Sequence, residues 1–317
     1  MTVLASGSKG NATIVAAGRT ALLVDAGLSC RELLRRMAMV GEDPAALTAI
    51  LITHEHIDHV AGLSVLARRL GIPVYFTEQT HRAWVRMMTP KTTMSYAKWL
   101  ERREAAKAAS AAPEPVPEDE SADETAQVPV DLSAEPEELS AGARRDAAAL
   151  PAVEYFRAGD PFCIGELDVS PFTIPHDAAD PCGFVFHARS ESLRMAVATD
   201  LGYMPPNVKL ALRNVDVLLL ESNHDLEMLK DGPYPWSVKQ RVLSRVGHLS
   251  NAAAAEFLSR DYDGGAHTIV LGHLSESNNL PELALLAAEQ AIANRMSLLG
   301  NRILLAQQAE PTPSICL

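Results

Sequence analysis

The sequence predicts an α/β fold in which two β-sheets face each other and helices cover their outer sides. Short apolar runs rich in valine, isoleucine, leucine and alanine recur along the chain, with the length and turn-bounded setting of strands. Helical patterns fall between or after several of them. The first third consists mostly of strands joined by hairpin-length turns, which fits a doubly wound sheet less well than a sandwich.

The strand-like runs are, in order, TVLAS, ATIVAAG, TALLVDAG, AILITH, PVYFT, DVSPFTI, CGFVFHA, RMAVATD, DVLLLES and HTIVLGH. The helical patterns are SCRELLRRMAMVG, VAGLSVLARRLG, NAAAAEFLSRDY and LPELALLAAEQAIANRM, with SYAKWLERREAAKAA as a further helical stretch. The glycine-rich ASGSKGNAT turn is followed by the strand TIVAAG and not by a helix, so it is a poor dinucleotide fingerprint.

Composition narrows the classes. A chain of 317 residues with 47% hydrophobic content can bury a sizeable core. No basic, apolar leader follows Met1, and no uninterrupted apolar run approaches the roughly 18 residues of a membrane span. Cys30, Cys163, Cys182 and Cys316 show neither CxxC pairs nor a regular framework, as expected of reduced thiols in a cytoplasmic protein without a membrane partner.

The net charge of −12 is concentrated in one place. Residues 113 to 140 hold ten acidic side chains, five prolines and no lysine or arginine; without them 28 basic residues face 30 acidic ones. The global charge therefore says little about the partner of the folded part. Residues from about 105 to 150 bury too little apolar surface to offset their ordering entropy, and read as a disordered insertion in a single domain spanning 1 to 317. Such a segment is either a partner-binding, regulatory loop or a solvated extension without catalytic consequence.

ILITHEHIDHVAG, residues 50 to 62, crowds three histidines and an aspartate against an apolar run. Burying such groups unpaired is costly. His54 and His56 lie two apart, so an extended segment lets both reach one ion. Asp58 and His59 follow as the chain turns into a helix starting near Val60. H-x-H-x-D-H thus suits two neighbouring ions better than one. Other strand ends supply further ligand types: Asp25 in TALLVDAG, His176 in FTIPHD, Asp200 in MAVATDLG and His273 in TIVLGHLSE. Imidazole and carboxylate suit Zn²⁺, Mn²⁺ or Fe²⁺, and the lack of cysteine ligands points to catalysis over a structural role.

In this order these motifs resemble the metallo-β-lactamase superfamily, an αββα sandwich with a dinuclear site at one edge of its sheets. The resemblance implies that His54, His56 and His176 hold one metal, and Asp58, His59 and His273 the other. It also implies that Asp200 bridges the two and that Asp25 supports the cluster from behind. LASGSKGNAT, PHDAADPCGF, ATDLGY, LLLESNHDLEML, GPYPWSVKQRVLSRVGHLSN and LGHLSESNN resemble the YycJ/WalJ-like branch, bacterial metal-dependent hydrolases of exonuclease type. That likeness covers the chain apart from the acidic insertion, and implies DNA degradation from a 5′ end.

GHLS occurs twice, at 247 to 250 and 272 to 275. Only the second follows a continuous apolar run, so His273 is assigned to the metal and His248 to the substrate. The first precedes a helix that Ser250 or Asn251 would cap. A histidine there can donate a proton to a phosphoryl oxygen, with a structural histidine as the alternative. His224, beside Glu221 and Asp225, is a candidate supporting residue. His81, His187 and His267 lack a ligand-like setting.

Two ions can share a water and lower its pKa from about 15.7 towards 7. A metal-activated hydroxide, oriented by Asp58 or Asp200, would attack phosphorus or a carbonyl carbon. The fold does not choose between these centres. Lys239, Arg241 and Arg245 before His248 favour a phosphate-bearing substrate. Ser8, Lys9 and Asn11 on the tight turn near the start are further candidate phosphate contacts. Arg82, Lys91, Lys98, Arg102 and Arg103, with Trp84, Tyr96 and Trp99 interleaved, form either a single-strand track or an ordinary solvated helical face over core aromatics. The leading expectation is a two-metal 5′→3′ exodeoxyribonuclease. The alternatives are a hydrolase of thioesters or cyclic phosphodiesters, and a metal-binding scaffold whose acidic loop recruits a protein.

Overall fold

In the computed structural model, which describes residues 1–89, 148–293 and 302–317, the chain starts as an antiparallel meander. It comprises β1 (Thr2–Ala5), β2 (Ala12–Ala17) and β3 (Thr20–Val24). β4 (Leu47–Leu51), β5 (Val74–Thr77) and β6 (Val153–Phe156) then add in parallel, completing a six-stranded sheet in sequence order. The second sheet repeats this plan. β7 (Phe162–Ile164), β8 (Leu167–Thr173), β9 (Cys182–Ala188) and β10 (Leu193–Ala198) are antiparallel, and β11 (Val217–Glu221), β12 (Thr268–Gly272) and β13 (Arg302–Leu305) extend it in parallel.

Helices carry the parallel crossovers, as parallel pairing requires. α1 (Cys30–Met39) joins β3 to β4, and α2 (Ile57–Val60) and α3 (Leu63–Leu70) join β4 to β5. α4 (Glu78–Met88) follows β5. α5 (Pro206–Ala211) joins β10 to β11, and α6 (Leu226–Asp231), α7 (Trp236–Val242) and α8 (Asn251–Arg260) lie between β11 and β12. α9 (Pro281–Ala293) follows β12.

The apolar pattern explains why the sheets stack. Side chains alternate across a strand, and both faces of β3 are buried. Leu22 and Val24 point to the layer between the sheets, Ala21 and Leu23 to the layer under the helices. β11 divides in the same way: Val217 and Leu219 face inward, Leu218 and Leu220 outward. Phe184, Phe186, Val197 and Val270 fill the inner layer. Leu33 and Met37 of α1, one turn apart, share the outer layer with Leu63 and Leu66 of α3. The result is the helix–sheet–sheet–helix sandwich expected from the sequence.

Two local readings change. The helix after the histidine motif starts at Ile57 rather than near Val60, with His56 as its extended N-cap residue. Asp58 thereby falls in the first turn, where a negative charge is favoured. β13 and α7 lie in stretches read neither as strand nor as helix. Trp84, on the inner face of α4, is fully buried, which agrees with the core-aromatic alternative and not with a substrate track. The helical stretch SYAKWLERREAAKAA, the acidic segment up to 147, and Lys91, Tyr96, Lys98, Trp99, Arg102 and Arg103 lie outside the described residues. Met1–Met88 and Ala147–Leu317 form one unit. Among the described residues no helix is long and apolar enough to cross a membrane. Cys30 and Cys182 are buried, Cys163 and Cys316 exposed, and all four are free thiols.

Candidate metal centre

The C-terminal ends of β3, β4, β10, β11 and β12 meet with the segment following β8 at one edge of the sandwich. Asp25, Asp200 and His273 each follow their strand with a left-handed backbone, at φ of 61°, 63° and 56°. This conformation is uncommon for residues other than glycine, and Asp and His are among those that tolerate it. It turns each side chain out of the strand direction and into the edge.

Backbone hydrogen bonds knit the first half of the site together. The Asn11 N–H donates to the Asp58 carbonyl (2.7 Å), Ala26 N–H to the His59 carbonyl (2.8 Å) and Gly27 N–H to the Asn11 carbonyl (2.9 Å). A Cβ on Gly27 would stand 1.7 Å from the Asp58 carbonyl oxygen. Only glycine lets the turn after Asp25 lie so close to the histidine motif.

Four imidazoles are held by one nitrogen and aimed with the other. Nδ1 of His54 meets the Thr53 hydroxyl (3.0 Å), and Nδ1 of His59 meets Asp25 Oδ2 (2.8 Å). Nδ1 of His176 meets the Gly247 carbonyl (3.2 Å), and Nδ1 of His273 meets Glu221 Oε1 (3.0 Å). Such bonds fix ring orientation and leave Nε2 free to ligate. Asp25 is itself fixed, its Oδ1 accepting the Thr53 N–H at 2.9 Å.

The free nitrogens converge. His54 Nε2 is 3.1 Å and His176 Nε2 3.3 Å from His56 Nδ1, forming one group of three. Asp58 Oδ2 lies 3.6 Å from His59 Nε2 and 3.7 Å from His273 Nε2, forming another. Asp200 stands between them: Oδ2 is 3.4 Å from His59, and Oδ1 is 3.5 Å from His273 and 3.9 Å from His176.

Asp200 Oδ2 and His273 Nε2 are buried and have no hydrogen-bond partner among the described residues. Burying polar atoms in this way is unfavourable unless something binds them. An all His/Asp donor set with unsatisfied inward atoms fits divalent metal ions.

The electrostatics agree. Burial opposes protonation of His59, yet Asp25, Asp200 and Asp58 outweigh it and raise its pKa to about 9. His273 is likewise raised by Asp200, Asp58 and Glu221 against the effect of burial. Burial drives His54 well below the ordinary imidazole value, and the neighbouring histidines add to this. Burial works against ionisation of Asp58 and Asp200, but the surrounding histidines hold both below the usual carboxylate range.

Glu221, noted in the sequence only as a neighbour of His224, proves central. It is fully buried, and its Oε1 lies 2.8 Å from His248 Nδ1 as well as against His273. Its Oε2 accepts the N–H groups of Leu201 (2.6 Å) and Leu249 (3.2 Å). The signal was available, because DVLLLE ends an apolar strand in a carboxylate just as MAVATD does.

His248, partly open to solvent, joins Asp200, Glu221 and His273 in a further cluster. Ser250, not Asn251, caps α8 by accepting the Ala253 N–H. His224 is buried and belongs to none of the ligand groups among the described residues, with Nδ1 near Asn223 Oδ1 (3.3 Å) and burial holding its pKa at about 4.

The basic candidates separate. Arg241 reaches the rim, pairing through Nε with Asp177 Oδ2 (2.5 Å), next to His176. The Arg245 guanidinium lies over the Tyr203 ring. The Lys239 ammonium donates to the Lys230 carbonyl (2.6 Å) and is largely buried. Lys9 is exposed and pairs with Glu276 (2.5 Å), while Ser8 is exposed beside it. Asn11 is buried beneath the cluster, its Nδ2 lying 3.1 Å from His59 Nε2 and 3.3 Å from Asp58 Oδ2. His81, His187 and His267 contact Tyr155, Asp168 and Thr268, and none belongs to a ligand cluster among the described residues.

Residues 5–273 match the model of the Metallo-beta-lactamase superfamily. The exodeoxyribonuclease WalJ of Streptococcus pneumoniae (strain D39) is 34% identical over 282 residues, 89% of this chain and 84% of that protein. The exodeoxyribonuclease YycJ of Bacillus anthracis is 32% identical over 295 residues, 92% of this chain and 89% of that protein. In fold, the chain is similar to the metallo-beta-lactamase fold protein YhfI from Bacillus subtilis. The TM-score is 0.59 at 15% identity, covering 98% of both chains.

Proposed function

Because the chain belongs to the metallo-β-lactamase superfamily, we propose that it is a two-metal phosphodiesterase that degrades DNA from a 5′ end. The observation that carries this reading is the convergence of two ligand groups on Asp200, with buried inward atoms left unpartnered. The named activity of the two bacterial relatives, matched along most of both chains, supports DNA as the substrate.

In this reading His54, His56 and His176 would hold one ion and Asp58, His59 and His273 the other, with Asp200 available to both groups. Zinc or manganese ions held there would lower the pKa of a shared water and neutralise charge on the phosphoryl oxygens. Asp25 keeps the neutral Nε2 of His59 turned inward, and Asn11 holds Asp58 and His59 in register from below. Arg241, exposed at the rim, binds a phosphate as a planar two-donor partner, with Asp177 placing it beforehand.

His248 is the group that protonates the leaving oxygen. Its Nδ1 is held by Glu221 and its ring is partly open to the cleft, so Nε2 is left for the substrate. In this reading the acidic residues 113 to 140 take no part in the chemistry.

The test is a time course on 5′-labelled and 3′-labelled single-stranded DNA, beside a chromogenic ester and a cyclic phosphodiester. Metal-stripped protein, protein reloaded with Mn²⁺ or Zn²⁺, and His54→Ala are run together. Short products released first from the 5′-labelled strand, only by reloaded wild type, are expected. Intact DNA with turnover of the small esters would overturn the assignment.

A further inference from the structure

Beside the cluster the loop after β10 and the segment between α7 and α8 meet, and they carry an arginine stacked on a tyrosine. The guanidinium carbon of Arg245 lies 4.3 Å from the centroid of the Tyr203 ring. Tyr203 is half-buried and Arg245 exposed, so the cation covers the ring on its solvent side. Tyr203 stands three residues after Asp200, and Arg245 three before His248.

Both segments are tied to the candidate centre. The Gly202 N–H donates to the Pro175 carbonyl (2.9 Å), next to His176. The Asp177 N–H donates to the Val246 carbonyl (3.1 Å), and His176 Nδ1 meets the Gly247 carbonyl (3.2 Å). A Cβ on Gly202 would stand 2.2 Å from the Arg245 carbonyl oxygen, so the two segments touch only because residue 202 is glycine. The stacked pair is therefore fixed relative to His176 and His248.

We propose that Arg245, held flat by Tyr203, is a stacking plate for one nucleobase of the strand whose phosphate enters the cleft. This rests on the nuclease reading above. A guanidinium offers a planar face as well as charge, and a base beside a bound phosphate stacks on such a face irrespective of its identity. Arg241, near the end of α7 and four residues before Arg245, is engaged with Asp177 at the rim and serves the phosphate, which leaves Arg245 for the base. Arg245 touches the substrate, and Tyr203 acts through it as a positioning residue.

The test uses metal-loaded protein and short phosphorothioate single-stranded DNA that resists cleavage. One abasic nucleotide is stepped along the strand, and binding is followed by fluorescence anisotropy. For wild type, one abasic position weakens binding about tenfold, the loss of one stacked base. In Arg245→Lys and Tyr203→Ala the intact strand is already weakened about tenfold, and the same abasic position costs nothing more. Arg245→Lys keeps the wild-type salt dependence because it keeps the charge, and Tyr203→Phe behaves as wild type. An undiminished abasic penalty in both variants, with wild type still cleaving ordinary DNA, overturns the plate and leaves the nuclease reading standing. A wild type that neither binds nor cleaves the strand overturns both.

Discussion

Oε1 of Glu221 lies 2.8 Å from Nδ1 of His248, and the same oxygen meets His273. One buried carboxylate thus orients a proposed ligand and the proposed proton donor. Its other oxygen is occupied by two backbone N–H groups, so it cannot swing between them. The histidines hold Glu221 ionised against its burial, well below the usual carboxylate range.

Glu221→Gln should therefore lower kcat on DNA about 100-fold, within the range for loss of an acid–base group. Combined with His248→Ala it should cost less than the product of the two single losses, because part of its effect runs through His248 and only the part through His273 is separate. The kcat values of the two single variants and of the double variant check this. Independent, additive losses would separate Glu221 from His248.

Asp25 is expected to act on metal affinity and not on the fold. Asp25→Asn keeps a group beside Thr53 but weakens the hold on His59, and affinity for Zn²⁺ should fall about 10- to 100-fold. Titration with a competing chelator measures it. Below a pH of about 9 a proton competes for His59 in the metal-free protein. Wild-type affinity should therefore rise with pH up to that point.

Gly27→Ala should destabilise the protein by about 1–3 kcal/mol or more, since the new methyl group meets the Asp58 carbonyl. Displacing that carbonyl also moves Asp58 and His59. Denaturant melts and metal content should fall together; a stable variant with full metal content would contradict the close approach.

His224 should contribute to acid sensitivity. Burial holds its pKa at about 4, against about 6.5 unfolded, with Glu221 opposing the shift. A depressed imidazole stabilises the fold fully above pH 6.5, and that contribution is lost as the pH falls to about 4. The loss is on the order of 3 kcal/mol. His224→Asn keeps a donor at the Nδ1 position but does not titrate. Its stability should fall less steeply over this window than that of wild type, as read by urea melts at a series of pH values.

Much of this architecture is legible in one dimension. Strands such as TALLV and VLLLE are buried on both faces, so they stand out as continuous apolar runs, and a polar residue after such a run must lie at the sheet edge. That logic reaches Asp25, His54, His176, Asp200 and His273 without a structure, and the sandwich follows from the same runs. It stops where function depends on which side of an element faces the cleft. Lys239 and Arg241 are two residues apart on α7; one ammonium is turned to a backbone carbonyl and the other side chain reaches the rim. Trp84 reads either as part of a stacking track or as a core aromatic beneath a charged helical face, and only its burial in α4 chooses the second. β13 is only four residues long and gains its identity from pairing with β12, a contact that no local pattern announces.

The most direct measurement is a metal titration of stripped protein, with bound metal per chain and the rate of DNA hydrolysis read on the same samples. The rate should be negligible without metal, reach its maximum as a second ion binds, and stay negligible in Asp200→Asn. Full activity in stripped protein, or two bound ions with no hydrolysis of DNA under any metal, would contradict the account.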